Sequence, residues 1–455
     1  MAEAEVWVVG GGLAGSEAAW QIAQAGVPVR LSEMRPVEST GAHAGSDLAE
    51  LVCSNSLGSA LPDRASGVLI AELRHMGSLL LECAEATKLP AGGALAVDRA
   101  GFAARVTEAV SSHPRIQIVR RRVDTIPEGV GVLASGPLTA PTLASALREL
   151  AGEEHLYFYD ALSPIVEAAT IDETIAFRAS RYDRGEEPAG DYLNCPMDRG
   201  QYTQFVRALV SAERIPLREF EQDLRTGVRA GPDRFFEGCL PVEILAERDE
   251  QALSFGPLRP VGLTDPRTGR WPFAVVQLRQ DDRAGSLYNI VGFQTNLTYP
   301  EQDRVFRMIP GLEKARFVRH GQMHRNTFVN SPKLLHPWLE TRLRPGLFMA
   351  GQITGVEGYL GNIATGLLAG VNAARHVLGE PPISLPPTTM LGALCEYVTH
   401  ADPRRFQPMK AAFGLLPPLA DGRKRGRRER NRSYAERSAM DLATAWPSQL
   451  RIATT

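Results

Sequence analysis

Apolar residues run almost unbroken through AEVWVVG at 4–10, the mark of a strand buried on both faces. Gly10-Gly11-Gly12-Leu13-Ala14-Gly15 follows, and SEAAWQIAQAG then reads as a helix ending at Gly26. VPVRLSE returns as a second strand and ends on Glu33. The order strand, Gly-x-Gly-x-x-Gly, helix, strand, acid predicts a dinucleotide-binding unit. In it Gly10 makes the tight turn, Gly12 lets backbone approach a pyrophosphate, and Gly15 lets helix and strand close together. The helix N-terminus faces the phosphate charge. Glu33, eighteen residues past Gly15, is placed to accept from ribose hydroxyls.

The dinucleotide is NAD or FAD, and two later segments favour FAD. GVLASGP at 131–137 reads as a strand running into a small-residue turn. LFMAG at 347–351 is another apolar strand, and ITGVEGYLGNIATGLLAGVNAAR follows it. The second half of that run predicts a helix with a small-residue face at Ala364, Ala369, Gly370 and Ala373, closing over the site from the far end of the chain. Between these ends, about 166–324, apolar runs such as WPFAVVQLRQ and LYNIVGFQTNL alternate with Gly, Pro and Asp turns. They predict an inserted α+β domain with an antiparallel sheet. The expected fold is therefore α/β: a Rossmann-like FAD-binding domain of the two-dinucleotide flavoprotein type, formed by residues 1–165 and 325–455 and interrupted by the inserted domain at 166–324.

Composition adds little to this picture. A net charge of -2 over 455 residues leaves any basic surface local. The one such run, DGRKRGRRERNR, holds seven basic residues and one acid between Arg423 and Arg432. It suits nucleic-acid phosphates, Arg423, Lys424 and Arg425 included, or is a solvated tail. The apolar stretch 347–371 contains Gln352, Glu357 and Asn362 and six glycines, which argues against a membrane span. The N-terminus enters a strand directly, with no signal-peptide pattern. Five cysteines, at 53, 83, 195, 239 and 395, are odd in number, widely spaced and without CxxC. They support neither a disulfide framework nor a metal site, and the expected compartment is the reducing cytoplasm. Cys83 and Cys395 fall inside helical patterns as packing residues, and Cys195, before a proline, is ambiguous. Cys53, in ELVCSNS, and Cys239, in FEGCLPVE, lie in polar or Gly/Pro-flanked turns.

Those two segments belong to a longer series. EMRP at 33–36, RYD at 181–183, LNCPM at 193–197, GPLRPVGL at 256–263, VVQLRQ at 275–280, HRNTF at 324–328, AGQITGVEGY at 350–359 and FQPM at 406–409 accompany them in order. Together they closely resemble the folate-dependent, flavin-using tRNA (uracil-5-)-methyltransferase family along nearly the whole chain. The resemblance implies transfer of the methylene carbon of 5,10-methylenetetrahydrofolate to C5 of the T-loop uridine of tRNA. FADH2 is the implied reductant, with NADPH or NADH reloading the flavin. No membrane and no obligate protein partner are expected. By matching motif positions Cys53 and Cys239 are the reactive pair, Cys239 attacking uracil C6 and Cys53 assisting near the flavin. Gly351, Gln352 and Tyr359 belong to the cofactor end. Tyr359 either stacks on flavin or pterin or is a core tyrosine, and His324 either orients flavin or substrate or is structural. Arg325 is a candidate for phosphate or the folate glutamate.

Three other readings compete. A simple FAD/NAD(P)H oxidoreductase leaves two cysteines in polar turns unexplained. A tRNA-modifying flavoprotein of the wobble-uridine type is much longer and carries a further C-terminal domain. A non-catalytic flavin-bound RNA-binding protein is the third.

Overall fold

The computed structural model describes residues 5–447 except 39, 41, 44, 153–155, 184, 186, 188, 216–239 and 420–424. Its first sheet has five strands, all parallel, in the order Leu347–Met349, Gly131–Leu133, Val6–Val9, Val29–Glu33, Ile116–Arg120. Val6–Val9 is central and wholly buried, which is why it reads as a continuous apolar run rather than an alternating one. Its neighbours come from the adjacent and the distant parts of the chain, and the carboxyl ends of all five strands open onto one crevice.

The fingerprint helix, Leu13–Gln24, leaves the end of the first strand. Against it lies the closing helix, Tyr359–Val377, predicted from the small-residue face. Two glycines set how close they come. A Cβ on Gly366 would sit 2.3 Å from Ala14 O, and one on Gly370 2.6 Å from Ala18 O. Any side chain at either position would force the helices apart, so the two ends of the chain share one core.

The second sheet has six strands paired antiparallel throughout: Phe177–Ala179, Tyr192–Met197, Ala274–Gln280, Leu287–Ile290, Ile165–Glu167, Phe317–Arg319. It has a core of its own around Leu193, Val276, Phe293 and Phe306. A two-stranded ribbon, Leu156–Ala161 with Met323–Phe328, carries the chain out to this sheet and back. The α/β fold with a parallel nucleotide-type sheet and an antiparallel α+β insertion is thus as expected.

The C-terminal segment is more ordered than its composition suggests. Arg427–Ala445 is a helix with Leu442 and Trp446 buried behind it. Asn431 Nδ2 donates to Asp63 O at 3.0 Å, and Ser438 Oγ donates to buried Glu72. Arg427, Arg428, Arg430 and Arg432 stay exposed along its first turns. Among the described residues no helix is long and apolar enough to cross a membrane.

Candidate active site

The carboxyl ends of the parallel strands border one crevice that is partly open to solvent. Gly10, Gly12, Leu13, Ala14, Glu33, Gly351, Gln352 and Tyr359 all border it, as do Arg35, Ser135, Thr139 and Asn362. The sequence-predicted cofactor residues therefore meet in one place, apart from two glycines that shape the loop from behind. Gly15 faces Gly10, where a Cβ would lie 1.8 Å from Gly10 O. Gly11 donates its N–H to Glu33 Oε2 at 2.7 Å, and a Cβ there would lie 2.5 Å from Leu48 Cδ2.

Gly12 differs from both. A Cβ on it would meet nothing within 4 Å, because it points into the crevice. Asn362 Oδ1, also at the crevice, is buried and has no hydrogen-bond partner among the described residues. Open space before a helix N-terminus and a buried acceptor without a protein partner suit a dinucleotide, so the residues present fit such a group.

Glu33 is more engaged than the sequence implied. Its Oε1 accepts from Arg35 N at 3.0 Å and Arg35 Nε at 2.9 Å. Arg35 in turn reaches Glu50 Oε2 at 2.9 Å. Burial pushes the Glu33 carboxyl up, but the Arg35 charge and the hydrogen bonds from Arg35 and Gly11 outweigh it and hold the group below the usual carboxylate range. Glu33 is thus a fixed carboxylate at the edge of the crevice. The partner that fixes it, Arg35, lies in the EMRP segment.

Val52 lines the crevice and Cys53 follows it, half-buried. The loop is short and polar because nearly every backbone group in it is held from elsewhere. Tyr359 Oη accepts from Cys53 N at 2.8 Å and from Ser54 N at 3.1 Å. Asn55 Nδ2 donates to Val97 O at 3.0 Å and to Gln280 O at 2.8 Å. Arg279 Nε donates to Asn55 Oδ1 at 2.8 Å and its Nη2 to Ser54 Oγ at 2.6 Å. Arg99, ion-paired with Asp281 at 2.8 Å, donates to Leu51 O. Cys53 therefore sits where the parallel-sheet unit, the antiparallel sheet and the closing helix meet. Sequence reading missed Arg99, Arg279, Asp281 and Arg319. VVQLRQ was singled out as a motif, yet nothing local tells that its Arg279 turns toward residue 54.

Tyr359 resolves into two parts: its ring borders the crevice, and its hydroxyl ties down the Cys53 loop. Burial, and then the neighbouring Cys53, push its pKa up, so it stays a neutral phenol. Tyr359→Phe leaves two loop N–H groups without their acceptor. We expect a loss of about 1–2 kcal/mol in thermal unfolding and faster hydrogen exchange at residues 53 and 54.

The other cysteines divide cleanly. Cys83, Cys195 and Cys395 are buried in the cores. Burial pushes Cys83 and Cys395 up to about 12 and Cys195 higher still, which makes all three poor nucleophiles at neutral pH. Cys239 lies outside the described residues, as do Arg423 and Lys424. His324 and Arg325 fall on the connecting ribbon, their backbones opposite Asp160 and Tyr159, and their side chains are outside the described set. Arg425 is largely covered, its Nε 3.9 Å from Glu429 Oε1. Among the described residues no cluster of three His, Cys, Asp or Glu is placed to hold a metal.

Comparison with known proteins places this geometry. The sequence profile of the family described as glucose inhibited division protein A matches residues 5–381. A Synechococcus sp. protein named methylenetetrahydrofolate–tRNA-(uracil-5-)-methyltransferase TrmFO is 57% identical over 441 residues, covering 97% of this chain and 94% of that protein. A Heliobacterium modesticaldum protein of the same name is 55% identical, covering 96% and 97%. Among solved structures, Aquifex aeolicus GidA superposes with a TM-score of 0.67 at 18% identity, over 98% of this chain and 77% of the other, a likeness of fold. The profile match and the identity above one half along nearly the full length establish that the chain belongs to the GidA family, among the methylenetetrahydrofolate–tRNA-(uracil-5-)-methyltransferases.

Proposed function

We propose that this protein transfers the methylene carbon of 5,10-methylenetetrahydrofolate to C5 of the T-loop uridine at position 54 of tRNA and reduces it to a methyl group. The observation that carries the reading is 57% identity along 97% of the chain to a relative named for a folate-dependent tRNA uracil-5 methyl transfer. When bound, FAD supplies the two-electron reduction of the methylene, and NADPH or NADH restores its reduced form. The crevice suits FAD: Gly12 to Ala14 and the helix they open would hold the pyrophosphate, Glu33 the ribose, and Gly351, Gln352 and Tyr359 the closing end.

The remaining steps belong to side chains. Uracil C5 is a weak nucleophile. Cys239 Sγ bonds to C6, and the C5=C6 electrons move onto the C4 oxygen as an enolate, which makes C5 able to attack the one-carbon unit. A base then takes the C5 proton as the bond from the one-carbon unit to the folate nitrogen breaks, which frees tetrahydrofolate and leaves an exocyclic methylene at C5; a hydride equivalent added to that carbon would complete the methyl group, re-form C5=C6 and expel the Cys239 thiolate. Cys53, from the crevice side, takes that proton or forms the transient thiol adduct. Residues 166–324 form the substrate side, and residues 1–165 and 325–455 form the FAD unit. His324 and Arg325 lie on the ribbon between them as candidates for orienting substrate. The reaction belongs in the cytoplasm and asks for no protein partner and no membrane.

The test uses tRNA lacking 5-methyluridine. Carbon label supplied on methylenetetrahydrofolate should enter the T-loop, and label on S-adenosylmethionine alone should not. Transfer from S-adenosylmethionine, or none from folate in a flavin-loaded protein, overturns the reading.

The exposed arginines of the C-terminal helix carry a separate expectation. Four positive charges near a helix N-terminus are unfavourable to the helix itself, which points to an external anion. Replacing Arg427, Arg428, Arg430 and Arg432 with Gln should weaken tRNA binding. It should also lower its salt dependence by about 0.9 per lost phosphate contact for a duplex, with flavin reduction by NADPH unchanged. An unaltered salt slope returns the segment to a solvated helix.

A further inference from the structure

The seam beside the crevice holds more positive charge than it cancels. Arg99, Arg279 and Arg319 arrive from three elements and converge on residues 51–55. Among the described residues, the carboxylate that acts on all three is Asp281, and its ion pair is with Arg99. Arg279 is buried and donates to two neutral acceptors, Asn55 Oδ1 and Ser54 Oγ. Arg319 donates to Cys53 O at 3.4 Å, and its Nε is buried without a partner. Buried guanidiniums without a matching anion are costly, so an arrangement of this kind calls for one.

We propose that Arg279 and Arg319 are positioning residues that hold Cys53 as a thiolate at neutral pH, the thiolate being the anion around which this seam is built. Arg99 donates to Leu51 O, Arg319 to Cys53 O and Arg279 to Ser54 Oγ and Asn55 Oδ1, so three guanidiniums flank the loop at Cys53, and a negative charge there would favour each of them. Tyr359 stays neutral and adds no competing anion, and Asp281 is occupied by Arg99. Tyr192, the remaining titratable neighbour of Arg279, is also pushed up by burial and stays neutral. The fork of Arg279 fixes Ser54 and Asn55 together, which a lysine cannot do. The thiol loses its proton to solvent, leaving a group able to accept a proton or attack; a neutral thiol does neither well. This deepens the proposed function by giving Cys53 its reactive form.

The test is the alkylation rate of Cys53 by iodoacetamide across a pH series, on the full chain as purified with its flavin. Peptide mass spectrometry separates Cys53 from Cys239. Wild-type reactivity should rise at least a unit below the ordinary thiol pKa of about 8.5. Arg279→Gln and Arg319→Gln should each move the profile up by roughly one unit, making alkylation near pH 7 about tenfold slower at unchanged flavin content. Arg279→Lys should shift it less. Thermal unfolding checks each variant, and Arg319→Gln, whose side chain is only half-buried, decides alone where Arg279→Gln does not fold. A wild-type profile at the ordinary thiol pKa, or an unmoved profile in folded Arg319→Gln, overturns the proposal. Normal methylation by Cys53→Ala alongside a shifted alkylation profile would instead overturn the role of Cys53 in the reaction and leave the arginine assignment standing.

Discussion

Cys53→Ala should lose tRNA methylation while keeping FAD and its reduction by NADPH. Cys239→Ala should lose both methylation and covalent capture of a T-loop RNA carrying 5-fluorouridine. The two losses are expected to differ because the roles proposed for the two thiols differ, bond formation at C6 for Cys239 and proton transfer for Cys53. A fluorine at C5 cannot leave as the proton does, so the adduct at C6 persists, and trapping reports the Cys239 step alone. Cys53→Ala should therefore still trap RNA. Stability is the control. Cys53 is half-buried in a loop whose hydrogen bonds run through its backbone N–H and C=O, which alanine retains. Alanine also removes the thiolate from beside the seam arginines, so stability at neutral pH should fall by about 1–2 kcal/mol, the loss shrinking as pH drops below the thiol pKa. Cys83→Ala, in a packed core, should lower stability at every pH and spare the chemistry. Methylation at the wild-type rate by Cys53→Ala would make the loop thiol a bystander.

The same contrast explains what the sequence could and could not reveal. The fingerprint, the strand Leu347–Met349 and the closing helix were legible because their signals are local: an apolar run, glycine spacing, a small-residue face. The surroundings of Cys53 were not. Tyr359 lies 306 residues from it, Arg319 266, and Arg279 is 225 from Ser54. No periodicity links positions that far apart, and a polar loop looks the same whether it faces solvent or a ring of arginines. Glu33 shows an intermediate case. Its position at a strand end was readable, and its partner Arg35 stands two residues on, but a pair so close in sequence does not announce that both are buried. The C-terminal helix was obscured by its own charge: Asn431, Ser438 and Leu442 make a narrow buried stripe within an otherwise polar segment. Nor does the glycine pattern say which glycine meets the ligand and which only meets the chain.

That last distinction yields the other large effect. Gly12→Val should give a protein that folds normally and is colourless. Gly12 has φ −77° and ψ −167°, extended backbone that valine adopts readily, and a Cβ there meets no protein atom within 4 Å. Neither conformation nor packing requires glycine at this position. The requirement must come from something that occupies the space in front of it, and a branched side chain would take that space at the N-terminus of the fingerprint helix. Gly15→Val is the opposite case: its Cβ would fall 1.8 Å from Gly10 O, inside the strand–helix contact, so the fold itself should fail. Gly10→Val joins it, with φ +103° and Ala134 O only 2.4 Å from the new Cβ. Visible flavin absorbance per protein and the thermal midpoint, measured on all three, separate the outcomes. Full flavin occupancy in a well-folded Gly12→Val protein would mean that the crevice holds its dinucleotide elsewhere, and would remove the pyrophosphate from the mouth of this helix.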